Sequence, residues 1–110
     1  MRNKKASKEF YVDKLGFTEI SDYGDYLMMM MGNIEIHFFE FKELDPKENY
    51  GQVYIRTNNI HEVYQKLVND KVNIHPDGSL QVKPWGQIEF SLLDPDNNLL
   101  TFGQRVKNLI

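Results

Sequence analysis

Gly86-Gln87-Ile88-Glu89-Phe90-Ser91-Leu92-Leu93-Asp94-Pro95-Asp96-Asn97-Asn98-Leu99-Leu100-Thr101-Phe102-Gly103 decides the fold. Ile88, Phe90 and Leu92 alternate with Glu89 and Ser91, so Gly86 to Leu93 reads as a strand with one buried face. Asp94 to Asn98 are turn formers, and Asn97 tolerates a positive φ. Leu99 to Gly103 then returns as a partner strand. Leu100 and Phe102 lie on its apolar side and Thr101 on the other.

Upstream, Gly51 to Thr57 reads as another strand, and Asn58 or Asn59 caps a helix running to about Lys71. Ile60, Val63, Tyr64, Leu67 and Val68 recur with the spacing of one helix face. Asn73 to Gln81 reads as a weak strand broken at Pro76-Asp77-Gly78. Residues 51–104 thus form one βαβββ unit.

The first part of the chain has the same order without an opening strand. Lys4 to Leu15 reads as a helix capped by Asn3 and stopped by Gly16, with Ala6, Phe10, Tyr11 and Leu15 on its apolar face. Strands follow at Phe17 to Tyr23, Tyr26 to Met31 and Ile34 to Phe41, separated by turns at Gly24-Asp25 and Gly32-Asn33. The methionines of Met28 to Met31 read as core and interface filling. Lys42 to Tyr50 is polar, contains Pro46 and reads as a connector. The fold class expected is α+β, as a structural repeat in a single domain over 1–110, with one module at 1–45 and the second at 51–104.

Composition narrows the function. No apolar run approaches the ~20 residues of a bilayer span, and no apolar segment follows the basic start, so neither a membrane anchor nor a signal peptide is expected. Cysteine is absent, which excludes disulfides and thiolate catalysis and leaves cytoplasmic residence as the default. A net charge of −3 weighs against nucleic-acid binding and suits a cationic ligand, although an acidic protein with no charge-specific partner has the same value.

Four segments carry a family likeness. They are Glu9-Phe10-Tyr11-Val12-Asp13-Lys14-Leu15-Gly16-Phe17, Gly32 to Phe39, Lys83-Pro84-Trp85-Gly86-Gln87-Ile88-Glu89-Phe90, and Leu92-Leu93-Asp94-Pro95-Asp96-Asn97-Asn98-Leu99-Leu100. From Asn3 to Gln104 the chain resembles the vicinal oxygen chelate superfamily of glyoxalases, bleomycin resistance proteins and extradiol dioxygenases. The segment around Trp85 resembles the bleomycin-resistance branch in particular. The resemblance implies paired βαβββ modules forming open, incomplete barrels. Family members begin with a strand ahead of the first helix, and this chain opens where that strand would end. The first module is therefore expected without its leading strand, with an unpaired sheet edge. Bleomycin resistance proteins exchange that strand between subunits, so a homodimer is expected while its contact stays open.

The resemblance also implies where a catalytic divalent ion would be held. One ligand position falls in the absent leading strand, and the others match Glu35, Gln52 and Thr101. An amide and a hydroxyl are poor replacements for imidazole and carboxylate, so neither metal nor cofactor is expected. His37 and Glu89 are a shifted alternative, but a hydrogen-bonded cavity histidine is the favoured reading of His37.

Strand alternation places Glu35, His37, Phe39 and Phe41 on one face of the first module. It places Gln52, Tyr54, Arg56, Glu89, Ser91 and Thr101 on one face of the second, with Trp85 in an adjacent loop. Phe39 and Tyr54 as plain core, and Glu35 paired with Arg56, are the bland alternatives. Aromatic faces beside polar handles suit a ligand groove. The expectation is a metal-independent, non-enzymatic protein that sequesters a bleomycin-type antibiotic or another amphipathic small molecule. The alternatives are a metal-dependent lyase or dioxygenase of the same superfamily, and an interaction module that binds no small molecule.

Overall fold

The computed structural model describes residues Met1–Val106. They form two compact units: Met1–Asn49 with the turn Asp94–Asn97, and Tyr50–Leu93 with the residues from Asn98 onward. The fold is α+β, with two open sheets, neither closed into a barrel.

The first unit opens with helix α1 (Lys4–Lys8), capped where Asn3 Oδ1 accepts from the Ala6 N–H at 3.0 Å. The helix expected to run to Leu15 does continue, but Glu9–Lys14 is wound as a π-helix, with the Leu15 N–H donating to the Phe10 carbonyl at 3.0 Å. Residue spacing does not distinguish the two windings. Here the wider turn accompanies Tyr11 and Leu15 both being buried, and Gly16 at φ 85° ends it.

A three-stranded antiparallel sheet follows, in the order β1 (Thr18–Asp22), β2 (Tyr26–Met31), β3 (Ile34–Phe39), with a bulge in β1 between Glu19 and Ser21. Leu27, Met29 and Phe38 are buried on the sheet face that meets Tyr11 of the helical segment. The Tyr11 ring meets Phe38 at 4.7 Å and Phe17 at 5.4 Å, both edge-on. Met1 makes one parallel rung on β3: its ammonium donates to the Phe39 carbonyl and its carbonyl accepts from Phe41 N–H.

The turn Asp94–Asn97 is tied into this unit. The buried Tyr11 hydroxyl donates to Asp94 Oδ2 at 2.6 Å, and Arg2 Nε donates to Asp96 Oδ1 at 2.7 Å. Asn97 has φ 64°, as its position in the turn requires. The Asp-Pro-Asp motif is thus a structural clamp, because two buried carboxylates need donors.

In the second unit the sheet order is β4 (Gln52–Arg56), β7 (Leu99–Arg105), β6 (Gln87–Leu93), β5 (Gln81–Val82), with β4 parallel to β7. Helix α2 (Ile60–Asn69) covers one face. Ile55, Ile60, Leu67, Phe90, Leu92, Leu100 and Phe102 are buried. Phe90 stacks on Phe102 at 5.0 Å, and Tyr64 meets Phe90 edge-on at 5.1 Å.

The strand expected over Asn73 to Gln81 is a correction. Only an isolated bridge, Ile74 to Leu92, and the two-residue β5 form there. Pro76 supplies no donor, and the segment meets β6 around Ser91, whose carbonyl accepts from the His75 N–H at 2.8 Å and whose N–H donates to the Gly78 carbonyl at 2.9 Å. Between them the Gly78 N–H turns back to the His75 carbonyl, so a turn interrupts the pairing.

Candidate functional site

In the first unit, cross-strand register puts Tyr26 opposite Phe39, Met28 opposite His37 and Met30 opposite Glu35, all on the face away from α1. Glu35 and His37 are exposed, and Phe39 is 64% exposed. His37 Nε2 lies 2.8 Å from Glu35 Oε2, and its Nδ1 lies 2.9 Å from the Tyr26 hydroxyl. A neutral imidazole satisfies both contacts by donating to Glu35 and accepting from Tyr26. Glu35 thus bonds His37, which gives the polar row a fixed shape. Tyr26 is a member that sequence reasoning missed, although the pairing of two strands across a tight turn contained the signal.

In the second unit, the uncovered sheet face carries Gln52, Tyr54 and Arg56 on β4, Thr101 on β7, and Glu89 and Ser91 on β6, with Gly103 between Arg56 and Glu89. Ser91 and Thr101 hydroxyls bond each other at 2.8 Å. Glu89 is 8% exposed, and its Oε2 accepts from the Tyr54 hydroxyl at 2.9 Å and from the Trp85 indole N–H at 3.0 Å. Tyr54 reaches Glu89 by crossing β7 at Gly103, where any Cβ would collide with its hydroxyl oxygen. Burial, then the hydrogen bond and charge of Glu89, raise the Tyr54 pKa above its ordinary value.

Trp85 sits in the loop before β6 and is 64% exposed, with its N–H held and its ring outward. It lines a cavity of about 850 Å³ with Arg56, Thr57, Gln87, Gln104 and Arg105. Arg56 Nη1 donates to Gln87 Oε1 at 3.0 Å, and its guanidinium lies 5.6 Å from the Tyr54 ring centroid. Of the residues expected in the groove, Arg56 and Trp85 line this cavity. Gln52, Tyr54, Glu89, Ser91 and Thr101 share the sheet face but do not line it. Arg105 was missed because the last strand was expected to end at Gly103, whereas it continues two residues further.

Among the described residues, no group of three His, Asp or Glu side chains converges as a metal site. Thr101 is bonded to Ser91, and Gln52 offers only an amide. The donors on these faces do not fit a divalent ion.

The family model for the glyoxalase/bleomycin resistance protein/dioxygenase superfamily matches residues 2–102. The chain belongs to this superfamily. The bleomycin resistance protein of Geobacillus stearothermophilus is 30% identical, aligned over 94% of this chain and 90% of that protein. A bleomycin resistance protein of Klebsiella pneumoniae is 23% identical, over 90% of this chain and 82% of its own length. Among solved structures, a bleomycin-binding protein complexed with bleomycin superposes with a TM-score of 0.85 at 23% identity, covering 96% of this chain and 92% of that one. The bleomycin resistance determinant encoded on transposon Tn5 gives 0.86 at the same identity, covering 96% and 91%. This superfamily member therefore has the fold of the bleomycin-resistance branch.

Proposed function

We propose that this protein binds a small amphipathic molecule of the bleomycin type and sequesters it without metal and without transforming it. The observation that carries the reading is the pose of Trp85, whose indole N–H is held by the buried carboxylate of Glu89 while its ring stays 64% exposed at a cavity. A core tryptophan would hide its ring. One fixed in place and left outward is a stacking platform prepared before the ligand arrives. The curated bleomycin resistance relatives give the ligand class.

On this reading Trp85, Tyr54 and Arg56 meet the ligand. Glu89 positions the two rings, and the Ser91–Thr101 pair holds the sheet face beneath them. Gln52, on the same sheet face, supplies a further polar contact. No donor set for a catalytic ion enters the scheme, so protection comes from removing free drug. The protein acts as a cytoplasmic homodimer. The exposed apolar side chains of the first unit's sheet face, including Phe39, Tyr26 and Met30, are the surface such a partner would cover. No described helix is long and apolar enough to cross a membrane.

Incubating the protein with metal-free and copper-loaded bleomycin, then denaturing it and weighing the released drug, tests the reading. Retention of one equivalent per chain with unchanged mass is expected. A modified drug, or activity that appears on adding a divalent ion, would point to the enzymes of the superfamily instead.

A further inference from the structure

The cavity beside Trp85 has a charge opposite to that of the molecule. The chain carries a net charge of −3, yet none of the nine described residues lining this cavity is a carboxylate, while two are arginines. Arg56 and Arg105 reach it from β4 and β7, two adjacent parallel strands. Both are exposed, and among the described residues neither forms an ion pair with a carboxylate. Arg56 uses one donor on the Gln87 amide oxygen, and a guanidinium has five. The nearby acid, Glu89, is 8% exposed and accepts from Tyr54 and Trp85, so the two guanidiniums outnumber the one carboxylate and the carboxylate is turned inward.

We infer that this cavity is a subsite for an oxyanion, such as a phosphate, sulfonate or carboxylate, carried on a flat aromatic ring. The oxyanion bonds Arg56 and Arg105, and the ring stacks on Trp85. Planar guanidiniums match the paired oxygens of such a group and bind it by charge-assisted bonds. The Gln87 contact holds Arg56 by a neutral acceptor, leaving its charge uncompensated. The inference rests on the reading that this cavity binds a small molecule, and it assigns an anionic group to the guest where bleomycin itself is a cation. The sign of the net charge alone suggests a cationic guest. The local lining argues for an anionic one.

Trp85 is the only tryptophan, so its indole N–H gives a single nitrogen-proton NMR signal that reports the cavity directly. Naphthyl phosphate, naphthylmethanol and naphthylmethylamine are titrated against that signal, with bleomycin in a parallel series. Naphthyl phosphate should bind at least about tenfold more tightly than the amine, and the preference should fall as salt is raised. Arg105→Gln should remove most of the preference while the methanol binds as before, and Arg56→Gln should lower the preference as well. Arg105 is exposed and only its backbone is tied into the sheet, opposite Gln87, so its variant should fold as the parent does, which circular dichroism checks. Equal affinity for phosphate and amine, or a preference that survives both substitutions, overturns the inference. If that happens while bleomycin still shifts the signal, the sequestration reading stands without it. If naphthyl phosphate binds as expected and bleomycin does not, the inference stands and the bleomycin-type ligand falls.

Discussion

Glu89 is buried, and a carboxylate in that position needs donors. Tyr54 and Trp85 supply them on one oxygen, so one acid sets the pose of two rings. Glu89→Gln keeps the shape and removes the charge. The Trp85 indole N–H signal should move upfield as its hydrogen bond weakens, and an unmoved signal would mean that the bond does not form in solution. Gly103 matters for a different reason. A methyl there would overlap the Tyr54 hydroxyl, so Gly103→Ala should swing the half-exposed Tyr54 off Glu89. The buried carboxylate then loses one donor at a cost of about 1–3 kcal/mol, readable by chemical denaturation.

The Tyr54 titration has a definite sign. Its folded pKa is raised above the value of about 10 that it has when unfolded. The contribution to stability is therefore complete below pH of about 10 and is lost as pH rises through the folded value. In alkaline spectrophotometric titration Tyr54 should ionise late, and the Tyr54→Phe variant should lose that late phase. A late phase that persists in the variant beyond the one expected from Tyr11 would contradict the assignment. Tyr11, buried and beside Asp94, is also pushed well above the usual phenol range.

At the scale of elements, the clamp between Tyr11 and the turn after β6 is the contact most exposed to a single change. Tyr11→Phe leaves the ring packed against Phe17 and Phe38 but removes one donor from the buried Asp94. A loss of about 1–3 kcal/mol is expected in urea denaturation, and a neutral result would show that other donors satisfy the turn. The strands were legible because their side chains alternate cleanly. Ile34, Ile36 and Phe38 turn inward while Glu35, His37 and Phe39 face out, and Phe90 and Leu92 turn inward while Glu89 binds across the other face. The π winding of Glu9–Lys14 was not legible, because the same apolar spacing suits either winding and tertiary packing decides between them. The segment 73–81 misled because its apolar residues look strand-like while a turn between His75 and Gly78 interrupts its pairing with β6. Tyr26 and Arg105 needed register and strand length, which spacing within one segment does not supply.

For the whole molecule, the excess of negative charge and the arginine-lined cavity act at different ranges. Net charge governs encounter at low salt, whereas the lining governs what stays bound. Self-association belongs to this scale too. Sedimentation at micromolar concentration should give twice the chain mass, and Phe39→Asp, on the exposed face of the first sheet, should shift it toward one chain mass. A single-chain mass for the parent protein would remove the dimer from the account. The central claim is that the groove holds a guest intact, and titration of Trp85 emission with bleomycin tests it most directly. A saturable change with one drug bound per chain is the predicted result. No change at protein concentrations of tens of micromolar would contradict it.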